Sequence, residues 1–238
     1  MSGQVWCVTG TDTGVGKTIA TACLAAWAVA RGERVAVYKP VQTGAEPEGF
    51  GDVEAVVKLL GEPEGLTVVE GVRLGPSMAP LDAAATAGGE AAVAALPSIE
   101  RHVAAVAALA DEHDTVLVEG AGGLLVQLTF AGATIADLAL GAAASLTVVT
   151  RPDLGTLNHT GLTLEAAARR GVRPGQLIIG SWPADPTWVH RSNLVRLREL
   201  ATGHRYAWGG GIPEGLGAGA AEDVYRAAVG LQRGGGRP

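Results

Sequence analysis

A glycine-rich segment that ends in a lysine and a threonine, GTDTGVGKT at positions 10–18, carries the strongest chemical signal in the sequence. It lies between an apolar run and an alanine-rich stretch of helical length, so its backbone amides would meet phosphate oxygens at a helix N-terminus. Lys17 would then reach the β- and γ-phosphates, and the Thr18 hydroxyl would bind magnesium. The usual G-x4-G-K-[ST] spacing is imperfect, because Thr11 stands where the first glycine belongs and Gly10 lies one position earlier, so a chance glycine-containing turn is the alternative. The nucleotide contacts predicted for this loop are Gly14, Val15, Gly16, Lys17, Thr18 and Ile19.

A second lysine motif, KPVQTG at positions 39–44, follows the next apolar run. A lysine at the carboxyl edge of a sheet, beside a phosphate-binding loop, can stabilise charge that builds up on a transferring phosphoryl group. The 18 basic residues are 15 arginines and three lysines, so Lys39 is retained where lysine is scarce and a compact point charge is useful. Thr43 would offer a hydroxyl one short loop away. An ordinary exit from a strand into a loop is the alternative.

Two carboxylates are candidates for a magnesium site. Glu119, in VEGAGG, ends an apolar run, and a carboxylate at a buried strand end is costly unless it is paired or coordinated. Asp52, in GDVE, begins a short helical stretch, where capping that helix is the alternative. Magnesium bound with a nucleotide takes one hydroxyl, one or two carboxylates and phosphate oxygens. The predicted metal ligands are therefore Thr18, Asp52 and Glu119, with a salt-bridged strand terminus as the alternative for Glu119.

A second anion site is predicted in LGTLNHT at positions 154–160, where a helix follows an apolar run. Backbone amides of residues 155–158 would point outward at the helix N-terminus and could bind a carboxylate. Asn158 as a simple helix cap is an equally good interpretation. His159 would be a general base only in a less favoured interpretation, since a histidine near a helix start is more often structural.

Short β-branched runs alternate with helical stretches along the chain, which predicts a doubly wound, mainly parallel α/β sheet flanked by helices. The predicted strands are 5–9, 34–38, 115–119, 146–150 and 176–180, and the predicted helices are 18–30, 100–111, 157–170, 186–201 and 220–231. We expect one domain over residues 1–232 and a flexible tail at 233–238. An insertion at about 43–96, expected to hold only short helices at 52–60 and 81–87, would lie over the carboxyl ends of the strands.

Composition excludes several classes of protein. The net charge of −6 argues against a nucleic-acid surface. The longest uncharged stretch is too short and too interrupted for a membrane span, and the N-terminus has no secretory pattern, so we expect a cytoplasmic protein. Cys7 and Cys23 stand alone in apolar surroundings, which predicts two buried reduced thiols.

Taken in order, these motifs and a late G-x-I-P segment at 210–213 resemble those of the dethiobiotin synthetases of biotin biosynthesis, over nearly the whole chain. The resemblance implies a P-loop ligase that uses ATP or another nucleoside triphosphate, magnesium, 7,8-diaminononanoate and carbon dioxide. It implies that the substrate amine forms a carbamate, that the carbamate attacks the γ-phosphate, and that the second amine closes a cyclic urea as phosphate leaves. It also implies a homodimer that shares its active sites.

The same resemblance assigns roles to individual residues. Lys39 would stabilise the carbamate and γ-phosphate, Lys17 would neutralise the β–γ bridge, and the catalytic Thr13, with Thr43, would hydrogen-bond the reacting end of the substrate. Further nucleotide contacts would be Asp52, Glu119, Gly120, Ala121, Gly122, Ser181, Trp182, Asp185, Ile212, Pro213 and Glu214. Further substrate contacts would be Gly122 and Gly123 and, from the neighbouring chain, Gly155, Thr156, Leu157 and Asn158.

The chain departs from the family pattern where many relatives carry Gly-Trp-x-x-Asn, since residues 181–185 read Ser-Trp-Pro-Ala-Asp. An asparagine amide both donates to and accepts from an adenine edge, whereas an ionised aspartate only accepts. We therefore predict that the base is read partly by the backbone and that CTP serves as well as ATP.

Two other functions compete with a synthetase. A nucleotide switch like ParA or MinD would carry a second lysine early in the loop, where position 11 is threonine, and would carry a basic element for DNA or membranes. A small-molecule kinase would need an acceptor base beside Lys39, and no Asp or His accompanies that motif.

Overall fold

Within residues 3–46, 48–218 and 221–233, which a computed structural model describes, the chain forms seven strands and eight α-helices. The strands are β1 (Gln4–Gly10), β2 (Val35–Thr43), β3 (Leu66–Leu74), β4 (Thr115–Gly123), β5 (Ser145–Thr150), β6 (Arg173–Trp182) and β7 (Ala207–Pro213). The helices are α1 (Lys17–Ala30), α2 (Asp52–Leu60), α3 (Pro80–Ala94), α4 (Ile99–Glu112), α5 (Ile135–Gly141), α6 (Thr156–Arg169), α7 (Trp188–Gly203) and α8 (Ala221–Arg233), with a short 3-10 helix at Leu216–Ala218.

The strands form one sheet in the order β3-β2-β4-β1-β5-β6-β7, and every neighbouring pair is parallel. Helices α1, α2 and α8 pack on one face, and α4 to α7 pack on the other. This arrangement confirms the predicted doubly wound fold. Because all described strands run the same way, the carboxyl ends of β1, β2 and β4 meet at one edge, where open sheets of this kind bind ligands.

The segment at 43–96 differs from the expectation. Helix α2 lies where a helix was predicted, but the second helix is longer, spanning Pro80–Ala94 with a kink at Gly88 and Gly89. The segment also contains β3, which pairs with β2 and forms one edge of the sheet. The sequence gives a weak signal for β3 because an edge strand is only half-buried, and polar residues interrupt its apolar run. Residue 233 ends α8, and the rest of the predicted tail, 234–238, lies outside the described residues.

The two cysteines are buried and unpaired, as predicted. Burial raises the pKa of the Cys7 thiol far above its usual range and that of Cys23 to about 12, so both stay protonated and unreactive. No single helix in the described part of the chain is long and apolar enough to cross a membrane. Helices α3 and α4 taken together have the length and apolar composition of a membrane span, but they are bent by 92° relative to each other.

A buried histidine joins α4 to the sheet. His102 is 1% exposed, and its Nδ1 lies 2.7 Å from the Tyr38 hydroxyl on β2. Burial, and secondarily the nearby Arg101, lowers the pKa of His102 to about 4 from an ordinary 6.5. Between about pH 6.5 and pH 4 the unfolded chain therefore binds a proton that the folded chain does not. The free energy of unfolding decreases as the pH falls through this range.

We expect this histidine to make a measurable contribution to acid sensitivity. Between pH 7.5 and pH 5 the wild-type protein should lose about 2 kcal/mol more free energy of unfolding than His102→Gln, which removes the titrating group. Urea denaturation of both proteins at the two pH values measures the difference. Identical losses in the two proteins would contradict the assignment.

Candidate active site

The phosphate-binding loop connects β1 to α1, as predicted. Gly14 and Gly16 have φ values of 72° and 93°, a left-handed conformation that favours glycine. A Cβ at Gly16 would lie 2.7 Å from the carbonyl oxygen of Gly180, so the close contact with β6 also requires glycine. Gly16 caps α1, and Lys17 is its first residue, so the loop amides lead into the helix N-terminus. This is the geometry that binds phosphate.

Lys17 lies back over its own loop. Its side chain is largely buried, and its Nζ donates to the carbonyl oxygen of Asp12 at 3.3 Å. Burial, and then the positive charge of Lys39, lowers the pKa of Lys17. An anion that binds between the two lysines would oppose both effects and raise the pKa of Lys17.

Lys39 lies between the two predicted carboxylates. Its Nζ is 2.5 Å from Asp52 Oδ2 and 3.0 Å from Glu119 Oε1, and it donates to the carbonyl oxygen of Gly120 at 3.1 Å. Thr18 Oγ1 donates to the same Glu119 oxygen at 2.9 Å. Strands β2 and β4 are neighbours in the sheet, which is why two residues 80 positions apart meet at its edge.

The charges in this cluster stabilise one another. Burial alone would lower the pKa of Lys39, but Glu119 and Asp52 outweigh it and raise that pKa. Burial would raise the pKa of Asp52, but the charge and hydrogen bond of Lys39 outweigh it and lower that pKa. Lys39 is therefore a fixed ammonium group at neutral pH, suited to stabilising negative charge rather than to transferring a proton.

The geometry distinguishes between the alternative roles of the two carboxylates. Gly51, not Asp52, caps α2, and the Asp52 carboxylate points to Lys39. Glu119 does form a salt bridge, but only through Oε1, while its Oε2 is buried and has no hydrogen-bond partner within the described ranges. A buried carboxylate oxygen without a partner is costly unless a ligand takes it.

The residues fit a magnesium ion. The Thr18 hydroxyl, the Asp52 carboxylate and the unpartnered Glu119 oxygen are all hard oxygen donors of the kind that magnesium prefers. No group of three His, Cys, Asp or Glu side chains forms a metal cluster in the parts of the chain that the structure describes. A cation here would therefore need nucleotide phosphates and water to complete its coordination shell.

A cavity of about 590 Å³ brings twelve of the predicted residues together. The predicted residues that line it are Thr13, Gly14, Gly16, Lys17, Thr18, Ile19, Lys39, Thr43, Asp52, Glu119, Ala121 and Gly122. Sequence reasoning missed Gln42, which lies within KPVQTG and whose Oε1 accepts from the backbone N–H of Asp52 at 2.9 Å. It also missed the lining residues Ser77, Met78, Ala79, Pro80 and Val126, for which no pattern in the sequence gave a signal.

The residues expected around the base lie beside the phosphate loop. Ser181 and Glu214 line a neighbouring cavity of about 290 Å³ together with Gly14 and Val15. The loops after β6 and β7 are joined by two hydrogen bonds: Ala184 N–H donates to the Glu214 carboxylate, and Glu214 N–H donates to the Trp182 carbonyl oxygen, both at 2.9 Å. These bonds hold the two loops at a fixed separation.

The other residues predicted to contact the base do not line this neighbouring cavity. Pro213 lines an adjoining cavity of about 410 Å³, and Asp185 is exposed. Trp182 packs against the core and makes an edge contact with the His190 ring. The Ile212 side chain is buried in the core, so that residue could meet a ligand only through its backbone.

The predicted carboxylate site at the start of α6 does not line either cavity within one chain. Gly155 caps the helix in a left-handed conformation, with a φ of 91°. The buried Thr156 hydroxyl donates to the Arg151 carbonyl oxygen at 2.6 Å, so its side chain is used inside the fold. Two predicted glycines also lie outside both linings: Gly120 accepts from Lys39 through its carbonyl, and Gly123 is in register with Gly10 in the sheet.

Comparisons with known proteins show which family the chain resembles. A family model described as an AAA domain matches residues 4–209. The chain is 49% identical over 195 residues to the ATP-dependent dethiobiotin synthetase of Mycobacterium avium, with 82% of each chain covered. It is 45% identical over 217 residues to the enzyme of the same name from Streptomyces avermitilis, covering 90% of this chain and 86% of that one. The chain belongs to the ATP-dependent dethiobiotin synthetases.

As a dethiobiotin synthetase, it is an ATP-dependent ligase of biotin biosynthesis. Solved structures of cell-division ATPases share the fold: the MinC:MinD complex of Aquifex aeolicus has a TM-score of 0.57 at 14% identity, covering 97% of this chain and 96% of that chain. MinD of Pyrococcus furiosus has a TM-score of 0.53 at 16% identity, covering 97% and 99%. At such low identity the likeness shows the fold alone. The much closer relatives identify a synthetase and displace the nucleotide-switch alternative.

Proposed function

We propose that this synthetase converts 7,8-diaminononanoate, carbon dioxide and a nucleoside triphosphate into dethiobiotin, the nucleoside diphosphate and phosphate. The observation that carries this proposal is the placement of two buried lysines and two carboxylates around the phosphate loop, in one cavity of about 590 Å³. One amine of the substrate adds to carbon dioxide and loses a proton, which gives a carbamate. A carbamate oxygen then attacks the γ-phosphorus, and the bond to the leaving diphosphate breaks. The product of this step is a carbamic-phosphoric anhydride.

Lys39 and Lys17 supply fixed positive charge for that transfer. Lys39 would face the carbamate and the γ-phosphate, while Lys17, at the start of α1, would neutralise the bridge between the β- and γ-phosphates. Both ammonium groups are largely buried, so their charge acts in a medium of low dielectric constant, where it stabilises a transition state more than it would in water. Thr13 and Thr43, which line the same cavity, would hydrogen-bond the carbamate and the second amine.

Thr18, Asp52 and Glu119 would hold magnesium. The ion, when bound, neutralises charge on the phosphate oxygens. These carboxylates are the partners of Lys39 in the structure, so a cation between them would leave the Lys39 ammonium free to turn toward the reacting oxygens. In the last step the second amine attacks the carbonyl carbon of the carbamic-phosphoric anhydride, and phosphate leaves as the ring closes.

We further propose a cytoplasmic homodimer in which each chain is one P-loop domain over residues 1–232. The Gly155, Thr156, Leu157 and Asn158 amides would bind the substrate carboxylate of the neighbouring chain. One observation supports a role in trans: these residues lie outside the cavity of their own chain.

The direct test follows nucleotide hydrolysis with and without diaminononanoate and bicarbonate, and detects dethiobiotin by mass spectrometry. Hydrolysis that depends on both co-substrates and matches dethiobiotin mole for mole supports the proposal. Hydrolysis that proceeds equally without diaminononanoate, with no dethiobiotin formed, contradicts it.

Base selectivity provides a separate prediction. Asp185 replaces the asparagine amide of many relatives, and the Glu214 carboxylate is already engaged by a backbone N–H. We therefore expect turnover with CTP to lie within about tenfold of turnover with ATP, since the carboxylate at position 185 cannot donate to the adenine edge as an asparagine amide would. Asp185→Asn should raise the preference for ATP by about tenfold, the worth of one hydrogen bond. A preference of about a hundredfold for ATP in the wild-type enzyme, measured under equal conditions, would overturn this prediction.

A further inference from the structure

Arg73, on the edge strand β3, makes a dense set of hydrogen bonds outside the active-site cavity. Its side chain is 16% exposed, and its guanidinium bonds both oxygens of Glu70 at 2.7 Å. The same group bonds Glu54 Oε1 at 2.6 Å and the carbonyl oxygen of Gly49 at 2.5 Å. One side chain therefore connects the sheet edge to the loop before α2 and to the first turn of α2.

These contacts lie on either side of Asp52, the first residue of α2. The second oxygen of Glu54 accepts from the N–H of Gly51 at 2.9 Å, which caps the helix. Gln42, on β2, accepts from the N–H of Asp52 at 2.9 Å. The start of α2 is thus attached to β3 through Arg73 and to β2 through Gln42. The Asp52 carboxylate projects from this attachment point to Lys39.

We propose that Arg73 is a positioning residue for Asp52, holding the start of α2 so that the Asp52 carboxylate lies at the cation site beside Lys39 and Glu119. This inference rests on the proposed function, because it takes the metal role of Asp52 from it. Asp52 depends on such support more than Glu119 does. Glu119 belongs to a central strand, whereas Asp52 follows a loop and its side chain is one-third exposed.

The chemistry of the side chain explains why it is arginine. A planar guanidinium presents donors in a rigid fork, so it can bond two carboxylates and a carbonyl at once and hold each in a fixed direction. A lysine ammonium at the same position would supply the charge but could not span all three partners. Methionine would supply neither, and it would leave Glu54 and Glu70 without a common cation.

The test measures binding of Mn²⁺ as a substitute for magnesium, by electron paramagnetic resonance, in the presence of a nonhydrolysable ATP analogue. Arg73→Met should raise the Mn²⁺ dissociation constant about tenfold, which is the usual cost of losing an outer-sphere support, and Arg73→Lys should lie between it and the wild type. Glu70→Gln is the matched control, because the contacts of Arg73 with Gly49 and Glu54 remain. It should change the constant by no more than about twofold.

Hydrogen exchange supplies a second readout that does not depend on metal. The amides of residues 49–54 should exchange about tenfold faster in Arg73→Met than in Glu70→Gln, because only the former releases the loop. Equal exchange and equal Mn²⁺ binding in these two variants would overturn the inference. Asp52→Asn separates the metal role of Asp52 from the positioning role of Arg73. Unchanged Mn²⁺ binding in that variant contradicts the metal role given in the proposed function. Hydrogen exchange alone then decides whether Arg73 positions the start of α2.

Discussion

Replacing Lys39 with alanine should lower turnover by at least about a hundredfold, because a preorganised charge at the reacting oxygens is typically worth that much or more. The structure makes Lys39 the cation that both carboxylates share, with 3% of the residue exposed. Steady-state turnover of diaminononanoate at saturating nucleotide and magnesium measures the effect. Lys58, an exposed lysine that lies over the Phe50 ring and outside the cavity, offers a matched control, and Lys58→Ala should change turnover by less than about twofold.

The same substitution has a consequence for stability that separates folding from catalysis. Removing Lys39 leaves Glu119, which is 1% exposed, without its cation, and breaking a buried ion pair in this way costs about 3–5 kcal/mol. Thermal unfolding should therefore occur at a lower temperature in Lys39→Ala, and added magnesium should recover part of the loss. Turnover above about a tenth of the wild-type rate in a folded Lys39→Ala enzyme would show that the charge of Lys39 is not needed for phosphoryl transfer.

The central part of the fold could be predicted from the sequence, and its margins could not. Strands β1, β2, β4, β5 and β6 are buried on both faces or nearly so, and burial of that kind produces the continuous apolar runs that identify a parallel sheet. The edge strands β3 and β7 are half-exposed, so polar residues and glycines interrupt their runs. In the sequence, β3 therefore falls within the predicted insertion, and β7 is recognisable only by its G-x-I-P motif.

In the active site, too, some residues could be predicted from the sequence and others could not. Lys17, Thr18, Lys39 and Glu119 could be identified because each lies in a motif whose residue types have a chemical reason. Lys39 and Glu119 directly follow the last residues that pair β2 with β4, Tyr38 and Val118. Gln42 and Arg73 could not be identified, since their role is to hold a neighbouring loop, and that role depends on contacts 10 to 24 residues away along the chain. No local pattern encodes such contacts. The proposed carboxylate contacts at the start of α6 depend on a second chain, which the spacing within one chain does not reveal.

Replacing Glu119 with glutamine should raise the magnesium concentration needed for half-maximal activity by at least about tenfold. Outer-sphere changes alone cost 10–100-fold in metal affinity, so the loss of a direct carboxylate ligand should cost no less. Glutamine keeps the shape of the side chain and can still accept from Lys39 and Thr18. Its amide NH₂ would replace the buried Oε2, the acceptor that has no partner in the described structure. Magnesium titration of turnover and direct Mn²⁺ binding both measure the change.

The contrast with Asp52 makes this prediction specific to the site. The Asp52 side chain is 34% exposed, so water can replace a lost carboxylate oxygen there, whereas the Glu119 side chain is 2% exposed and water has little access to it. Glu119→Gln should therefore weaken metal binding more than Asp52→Asn does, although both remove one negative charge. A magnesium titration that is unchanged in Glu119→Gln would remove this residue from the metal site. Its salt bridge with Lys39 would then be its whole function.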